Sequence, residues 1–432
     1  MKNSQQLAQE LLDFINQSVT TYHAVAEITK RLNKAGFQEL NLADCWQIKK
    51  GGKYYTTRNG SSLFAFIVGQ GEPEEEGFRI IASHCDSPTF KIKPSPEINV
   101  ENHFIKLNTE VYGGPILMTW LDRPLSIAGR VSLRSQNPLF PNNQLVNFDR
   151  PVAIIPSLAI HLNRSVNEGV ELNKQIDMLP LTGISQDNDA YFFKNALAKE
   201  MNVAINEIID YDLTLYEHQK GCFVGLNNEF ISSSRLDNLA MAHASVEAIT
   251  NAPQAPFTQM VAIFDNEEVG SVTKQGAGSP LFRHLFERIL TLLGKDKEST
   301  LRTIYKSFMV SADMAHSIHP NHTEKHDPVL HPLINKGPVI KIHANQKYTS
   351  DGDSTAVFEQ FCQKAKVPCQ KFVNRSDANG GSTLGNISTG QLEIRSVDVG
   401  NPMLAMHSVR ELAGVNDQWY MTRAFLAIFG EQ

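Results

Sequence analysis

The sequence predicts an α/β fold, with helices on both faces of a mostly parallel sheet and a β-rich domain inserted into the chain. Two observations support this prediction. After Phe230, strand-like and helix-like segments alternate, which is typical of parallel sheets covered by helices. Between Thr89 and Phe230, the chain has many short β-type runs, prolines and turn signals. We therefore expect a discontinuous catalytic domain, 1–88 and 231–432, and an inserted β-rich domain, 89–230.

The N-terminal part of the chain predicts two helices and a β-hairpin. Apolar residues recur at helical spacing over 5–17 and 22–35, and Gly36 is placed to end the second helix. The run 53–69 resembles two strands joined by a turn at Asn59 and Gly60. Farther along, strands are expected at 78–82, 259–268, 307–314, 337–343 and 392–400, and helices at 188–201, 235–250, 281–293, 354–366 and 418–429.

The composition is that of an ordinary globular protein. The 432 residues are 41% hydrophobic and 20% charged, with a formal net charge of −6, so no nucleic-acid partner is expected. No apolar run approaches the roughly 18 residues that cross a bilayer, so no membrane association is expected, and no signal peptide is evident. The five cysteines are odd in number and lack a C-x-x-C pair, which argues against a disulfide framework. We expect a cytoplasmic protein.

Acidic residues and histidines follow several of the predicted strands. Because ligands bind beyond the carboxyl ends of strands in open α/β sheets, we expect these side chains to lie together. Imidazoles and carboxylates are also the ligands of two-metal hydrolytic sites. An acid after a strand can equally cap a helix or form a turn, and a single histidine can be structural. The candidates are His84, Asp86, Asp237, Asp265, Glu267, Glu268, Asp313 and His407.

Two short patterns favour the metal-site interpretation. Glu267 and Glu268 are adjacent carboxylates, which repel each other in a semi-buried cleft unless a cation or a proton intervenes. Since successive side chains point in different directions, one could bind a metal while the other acts as a general base on a water molecule. In an extended segment His84 and Asp86 share a face, so Asp86 could orient the imidazole, whereas Cys85 would point away.

Five motifs occur in order along the chain: SHCDSP, SSSRLDNLA, FDNEEVGS, SADMAHSIHPN and NPMLAMHSVRE. Together they resemble the motifs of the aspartyl aminopeptidases, a family of co-catalytic metallopeptidases. The resemblance runs from Tyr22 to the C-terminal helix and implies a zinc-peptidase-like α/β/α domain. The chain departs from the family pattern at Cys85, where threonine is usual.

The resemblance implies two divalent metal ions per subunit, with Asp237 bridging them. Zinc is expected, and cobalt and manganese are alternatives because they accept the same nitrogen and oxygen ligands. Glu267 would be the general base, and Asp86 would support His84. The first ion would be held by His84, Asp237 and Asp313, and the second by Asp237, Glu268 and His407.

The same resemblance implies four substrate-binding residues. Lys341 and Tyr348, within the stretch VIKIHANQKY, and His316 would lie around the substrate. A lysine in a dry pocket is costly unless an anion pairs with it, which fits an acidic substrate, although a solvated strand lysine is the alternative. His161, in the inserted domain, would reach the active site of a neighbouring subunit, so this domain would serve dimerisation and assembly.

We therefore expect a metalloaminopeptidase that hydrolyses N-terminal Asp and Glu residues from peptides through a metal-bridged water. Family members imply a homo-oligomer, a dodecamer built from dimers. The alternatives are another di-metal amidohydrolase, such as a carboxypeptidase or N-acyl deacylase, and a non-enzymatic metal-binding protein. The last alternative is based on the stretch 313–332, which holds five of the 14 histidines. In our interpretation Asp313 is the metal ligand of this stretch, and its histidines contact substrate or are structural.

Overall fold

The computed structural model describes residues 2–185 and 191–430, which divide into two compact units. The first unit comprises Met1–Asp86, Gly221–Met406 and Glu411–Gln432, and the second comprises Ser87–Lys220 and His407–Arg410. The predicted boundaries differ from these mainly in assigning 221–230 to the inserted domain and His407–Arg410 to the catalytic one. The catalytic and assembly roles of the two domains remain predictions.

Ten α-helices form in the described residues. Two of them, α1 and α8 below, begin with a capping box in which Asn3 or Asp351 accepts a backbone N–H from three residues further on. The helices are α1 (Ser4–Gln17), α2 (Thr21–Lys34), α3 (Pro73–Glu76), α4 (Phe192–Met201), α5 (Leu236–Thr250), α6 (Leu281–Leu292), α7 (Lys297–Lys306), α8 (Gly352–Ala365), α9 (Leu384–Gln391) and α10 (Val415–Ile428). The predicted helix at 188–201 begins with residues 188–190, which lie outside the described residues.

Twenty strands form in the same residues and belong to three sheets. They are β1 (Gln38–Glu39), β2 (Lys53–Arg58), β3 (Ser62–Ile67), β4 (Phe78–His84), β5 (Thr89–Val100), β6 (Phe104–Tyr112), β7 (Leu125–Leu133), β8 (Asn142–Asn147), β9 (Leu181–Ile184), β10 (Ile208–Glu217), β11 (Cys222–Val224), β12 (Phe230–Ser233), β13 (Thr258–Phe264), β14 (Phe308–Ala312), β15 (Ala315–His316), β16 (Val339–Ile342), β17 (Gln370–Val373), β18 (Arg395–Gly400), β19 (Pro402–Leu404) and β20 (Glu411–Gly414).

A nine-stranded, mostly parallel sheet forms the centre of the first unit, as predicted. Its strand order is β1-β2-β3-β13-β4-β14-β18-β16-β17. Neighbouring strands are parallel at β1–β2, β13–β4, β4–β14, β14–β18 and β16–β17. They are antiparallel at β2–β3, β3–β13 and β18–β16. The parallel centre consists of the strands that the alternating part of the sequence predicts, together with β4.

Side chains of this sheet alternate between two hydrophobic cores, because successive residues of a strand face opposite sides. Ile81 and Val261 lie in the core that contains α1, α2, α5, α8 and α10. Ile80 and Met260 lie in the core that contains α6, α7 and α9. All four are fully buried, and each such side chain contributes about 1.5–3 kcal/mol to stability. Helices therefore cover both faces of the sheet, as predicted.

A second sheet, with five strands, explains why the first unit resumes at Gly221. Its order is β11-β12-β20-β19-β15, and β11 pairs antiparallel with β12 over Cys222–Val224. This pairing holds the segment 221–230 within the first unit. The strands are only two to four residues long, which explains why periodicity did not reveal them.

The second unit is β-rich, with a six-stranded antiparallel sheet of order β8-β7-β10-β5-β6-β9 and the helix α4. Its core includes Phe90, Leu107 and Leu213. The buried carboxylate of Glu217 accepts hydrogen bonds from Arg123 at 3.1 Å and Arg410 at 2.7 Å. The second of these bonds explains why His407–Arg410 belongs to this unit.

Within residues 2–185 and 191–430, no helix is both long and apolar enough to cross a membrane. The five cysteines all lie in this part of the chain, and no disulfide joins any two of them.

Candidate active site

Three neighbouring parallel strands of the nine-stranded sheet end at the candidate site. His84 is the last residue of β4, Asp265 follows β13, and Asp313 follows β14. The carboxyl ends of parallel strands meet at one edge of a sheet, which is where ligands bind in open α/β folds. The structure therefore places these predicted residues together at that edge.

His84, Asp237 and Asp313 form a group whose geometry suits a metal ion. The Nε2 atom of His84 lies 3.6 Å from Oδ1 of Asp237 and 3.6 Å from Oδ1 of Asp313. One ligand atom of each residue lies within 4.8 Å of the other two, and all three side chains are buried. One imidazole nitrogen and two carboxylates are a donor set that zinc accepts. The residues present therefore fit the predicted first ion.

The start of α5 is held so that Asp237 reaches this group. The backbone N–H of Asp237 donates to the buried carboxylate of Glu411 at 3.0 Å. The side-chain amide of Asn238 donates to the carbonyl of Ala312, the last residue of β14, at 2.8 Å. Sequence reasoning did not assign a role to Glu411, although this residue is the last one of the motif NPMLAMHSVRE.

Asp86 supports both His84 and the two adjacent glutamates. The Nδ1 atom of His84 lies 3.1 Å from the carbonyl oxygen of Asp86, which leaves Nε2 to face the carboxylates. The carboxylate of Asp86 accepts the backbone N–H groups of Glu267 and Glu268, each at 3.1 Å. The expected orienting group was the carboxylate of Asp86, whose Oδ1 lies 3.4 Å from the same nitrogen, so the orienting role of this side chain stays a prediction. The contact with the two glutamates was not foreseen, since 181 residues separate Asp86 from Glu267.

Glu267 and Glu268 lie in a short turn after β13, half-buried beside His84. A ligand atom from each lies within 4.8 Å of one from His84, and Glu268 has the same relation to Asp237. Burial raises the pKa of Glu267 to about 7, and the charges of Asp313, Asp86 and Asp237 add to this rise, whereas His84 opposes it. Such a carboxylate can both accept and return a proton near neutral pH.

Lys341 pairs with Asp313 inside the protein. Its ammonium group donates to Oδ2 of Asp313 at 3.1 Å and to the carbonyl of Met314 at 2.8 Å. Burial alone would raise the pKa of Asp313, but Lys341 and His84 hold it well below its usual value. Burial would likewise lower the pKa of Lys341, but Asp313 outweighs this effect and raises it. The ammonium also lies 5.5 Å from the ring centroid of Tyr348, which is buried.

Three further residues are predicted to bind a metal ion or the substrate. His316 is exposed in β15, with its ring 5.8 Å from that of Phe372. His161 is exposed in a turn of the second unit. His407 belongs to the second unit, where its Nδ1 atom lies 3.1 Å from the carbonyl oxygen of Gly114. The metal-binding role of His407 and the substrate-binding roles of His161 and His316 stay predictions.

Cys85 is buried and turned toward α2 and β3, as the alternation of side chains predicts. Its Sγ atom lies 3.1 Å from the hydroxyl of Thr21 and 3.3 Å from the carbonyl oxygen of Ser61. Burial raises the pKa of this thiol well above its usual value, which disfavours the thiolate.

The histidine-rich stretch 313–332 supplies only Asp313 to the groups able to hold a metal among residues 2–185 and 191–430. One further group, Glu10, His243 and Glu247, lies outside the candidate site. There the ammonium of Lys2 donates to both carboxylates, at 2.5 and 2.9 Å. A positive charge of the protein itself therefore already lies between the two carboxylates of this group.

Comparison with known proteins identifies the family of this chain. The family model described as aminopeptidase I zinc metalloprotease (M18) matches residues 14–429. The probable M18 family aminopeptidase 2 of Clostridium novyi is 55% identical over 429 residues, covering 98% of this chain and 99% of the relative.

Two solved structures extend the similarity to the whole fold. A cryo-EM structure of the Ape4 and Nbr1 complex contains a chain that is 37% identical, with a TM-score of 0.94 over 99% of this chain and 86% of that one. The S. cerevisiae mApe1 dodecamer is 29% identical, with a TM-score of 0.86 over 99% and 97% of the two chains. These matches favour an aminopeptidase over a carboxypeptidase, a deacylase or a non-enzymatic protein. The chain belongs to the M18 family of zinc metalloaminopeptidases.

Proposed function

We propose that this aminopeptidase removes acidic residues, Asp and Glu, from the N-termini of peptides. The observation that carries the specificity is the buried ammonium of Lys341, which lies beside Asp313 and Tyr348. An ammonium group has three N–H donors, and two of them are used by Asp313 and Met314. The third donor can pair with a substrate carboxylate, which would offset the cost of keeping a charge in a buried position.

We propose two zinc ions per subunit, with cobalt or manganese as substitutes. His84, Asp237 and Asp313 would hold the first. The family resemblance assigns Asp237, Glu268 and His407 to the second. When bound, such ions would lower the pKa of water and polarise the carbonyl group whose carbon atom is attacked.

Glu267 is the proposed general base. Its carboxylate would accept a proton from the attacking water and return that proton to the leaving amine as the peptide bond breaks. Asp86 fixes this glutamate by accepting its backbone N–H at 3.1 Å. We also propose that the substrate must carry a free α-amino group, so an N-acetylated substrate would not be cleaved.

A substrate panel tests the proposed specificity. Turnover of Asp-, Glu-, Leu- and Lys-amides would be measured together with the metal content of the same sample, and N-acetyl-Asp-amide would serve as the blocked control. We expect Asp- and Glu-amides to be preferred and the blocked compound to resist cleavage. A preference for the Leu-amide would refute the acidic pocket, and cleavage of the blocked compound would refute the requirement for a free amine.

Two adjacent glutamates provide a matched test of the base. Glu267→Gln should reduce turnover by about 1,000-fold with metal content nearly unchanged, because only proton transfer is lost. Glu268→Gln should lose metal, because it removes a proposed ligand. Near-normal turnover of Glu267→Gln would refute its assignment as base.

We also propose a cytoplasmic homo-oligomer, a dodecamer built from dimers. The described part of the second unit exposes large apolar side chains, including Leu139, Phe140 and Leu162 at 82%, 72% and 75% exposure. Exposed apolar patches of this kind often mark protein contacts. Light scattering would give a mass about twelve times that of the 48.2 kDa chain.

In such an assembly His161 would contact the substrate in a neighbouring subunit. The substitution His161→Ala would therefore lower turnover without changing metal content, and a fully active monomer would exclude this role of His161.

A further inference from the structure

Asp398 is a buried carboxylate beside the candidate site that belongs to none of the groups able to hold a metal among the described residues. It lies on β18 opposite Ser311 of β14 and is 0% exposed. Oδ1 accepts from the hydroxyl of Ser311 at 2.5 Å and from that of Thr383 at 2.6 Å. Oδ2 accepts from the backbone N–H of Thr349 at 2.6 Å and from its hydroxyl at 2.8 Å. Four donors therefore converge on one carboxylate.

These donors belong to two separate loops and one strand. Thr349 directly follows Tyr348, and Thr383 directly precedes α9. A second residue of the first loop is also tied to β18, because the backbone N–H of Asp398 donates to the hydroxyl of Ser350 at 2.9 Å. The carboxylate thus joins both loops to the centre of the nine-stranded sheet.

The packing around Asp398 leaves little freedom for either loop. A Cβ atom at Gly385, in the first turn of α9, would lie 2.7 Å from Oδ2 of Asp398, so only glycine fits there. The two loops are also joined directly, since the ammonium of Lys347 donates to the carbonyl of Gly380 at 2.6 Å. The segment that carries Tyr348 is therefore fixed from two sides.

We propose that Asp398 is a positioning residue that holds Tyr348 beside Lys341 and so shapes the pocket for the substrate's N-terminal residue. This inference rests on the proposed function, in which Lys341 and Tyr348 face the substrate. Lys341 is held independently by β16, whose Ile340 pairs with Val399 of β18. Loss of the carboxylate would therefore release Tyr348 while Lys341 stays in place. Substrate binding should suffer more than turnover.

Two substitutions at Asp398 separate its acceptor role from its bulk and charge. Asp398→Ala removes all four contacts and should lower kcat/KM by about 10- to 100-fold, mostly through KM, because small misplacements of binding groups have effects of this size. In Asp398→Asn, the amide oxygen can still accept from Thr349, and the hydroxyls of Ser311 and Thr383 can rotate to accept from the amide N–H₂. We expect kcat/KM of this variant within about 5-fold of the unaltered protein.

Asp417 provides the matched control, because it is another fully buried carboxyl of the first unit. It accepts the backbone N–H groups of Asn335 at 2.6 Å and Gly337 at 2.8 Å. Asp417→Ala should lower the thermal midpoint, as Asp398→Ala should, but leave KM within about 2-fold. An unchanged KM in Asp398→Ala, or the same KM change in both variants, would overturn the proposal.

Two further measurements test the proposal if Asp398→Ala does not fold or if the acidic specificity is wrong. If Asp398→Ala does not fold, Thr349→Val removes one contact to the same carboxylate and should raise KM by about 3-fold, and an unchanged KM would refute the proposal. All variants would be assayed on Asp-, Glu- and Leu-amides. If the unaltered protein prefers the Leu-amide, the acidic specificity fails, whereas the KM change on that substrate still reports the positioning by Asp398.

Discussion

The edge of the nine-stranded sheet and the histidine-rich stretch 313–332 contain similar residues but use them differently. At the edge, His84, Asp237 and Asp313 come from distant parts of the chain and offer ligand atoms within 4.8 Å of one another. In the stretch, the backbone N–H of His319 donates to the ring of His326 at 3.0 Å, and the rings of His319 and His322 lie 5.0 Å apart. The residues at the sheet edge therefore bring possible ligand atoms together, whereas none of the histidines of the stretch belongs to a group able to hold a metal among the described residues.

The largest expected effect comes from the edge. Asp237→Asn should lower zinc content strongly and turnover by about 1,000-fold or more, because the proposed bridging ligand loses its charge. Elemental analysis of the purified protein and an Asp-amide assay would measure both. Normal zinc content in this variant would show that the metal lies elsewhere.

A smaller effect is expected at Lys341. Lys341→Met keeps the length of the side chain but leaves the buried Asp313 without its ammonium partner, so kcat/KM for the Asp-amide should fall by about 100-fold. Lys371→Met is the control, because this lysine lies on β17, next to β16, and pairs at the surface with Glu359 of α8. It should change kcat/KM by less than about 2-fold. Similar losses in the two variants would contradict a specific role for Lys341.

Asp417 shows what burial does to an acid that has no cation beside it among the contacts described. Burial raises its pKa to about 7, although the N–H groups of Asn335 and Gly337 oppose this rise. Its carboxyl is then protonated in the folded chain and ionised in the unfolded chain between about pH 4 and 7, so it makes stability fall as pH rises through this window. Since each pKa unit corresponds to about 1.4 kcal/mol, the loss over this window of about three units should be about 4 kcal/mol.

The thermal midpoint of the unaltered protein and of Asp417→Asn, followed from pH 4.5 to 7.5, checks this sign. The difference between the two proteins should shrink or reverse as pH rises, because only the unaltered protein loses stability through Asp417. A difference that stays constant with pH would mean that Asp417 is ionised throughout.

The smallest effect is expected in the histidine-rich stretch. The double substitution His319→Ala and His326→Ala removes the hydrogen bond between them, and stability should fall by about 1 kcal/mol. Zinc content and turnover should stay within about 2-fold of the unaltered protein. A marked loss of zinc would reverse the comparison and favour the stretch as a metal site.

The parts of the fold that sequence reasoning predicted share strong local patterns. The buried strands β4, β13 and β14 are mostly apolar, and each leads into a candidate acid or histidine of the site. The helix α9, in contrast, was not predicted, because its residues Leu384–Gln391 include two glycines, an asparagine and a serine, which are poor helix formers. Its position depends on packing against the sheet.

Contacts between distant segments also escaped prediction. Lys341 lies 28 residues from Asp313, and neither local pattern indicates that the two side chains pair. Likewise, no local pattern indicates that the carboxylate of Glu411 accepts the backbone N–H of Asp237, from which it is separated by 174 residues in the sequence. These contacts depend on the register of neighbouring strands and loops, which periodicity does not report.

Asp86 links two properties of this enzyme that an engineer would wish to vary separately. Its carboxylate lies 3.4 Å from Nδ1 of His84 and also accepts the backbone N–H groups of Glu267 and Glu268. A replacement that removes this carboxylate would therefore disturb the proposed metal ligand His84 and the proposed base Glu267 at the same time. A search for variants with a different metal preference or a different pH optimum should therefore keep Asp86 constant and alter the residues around it.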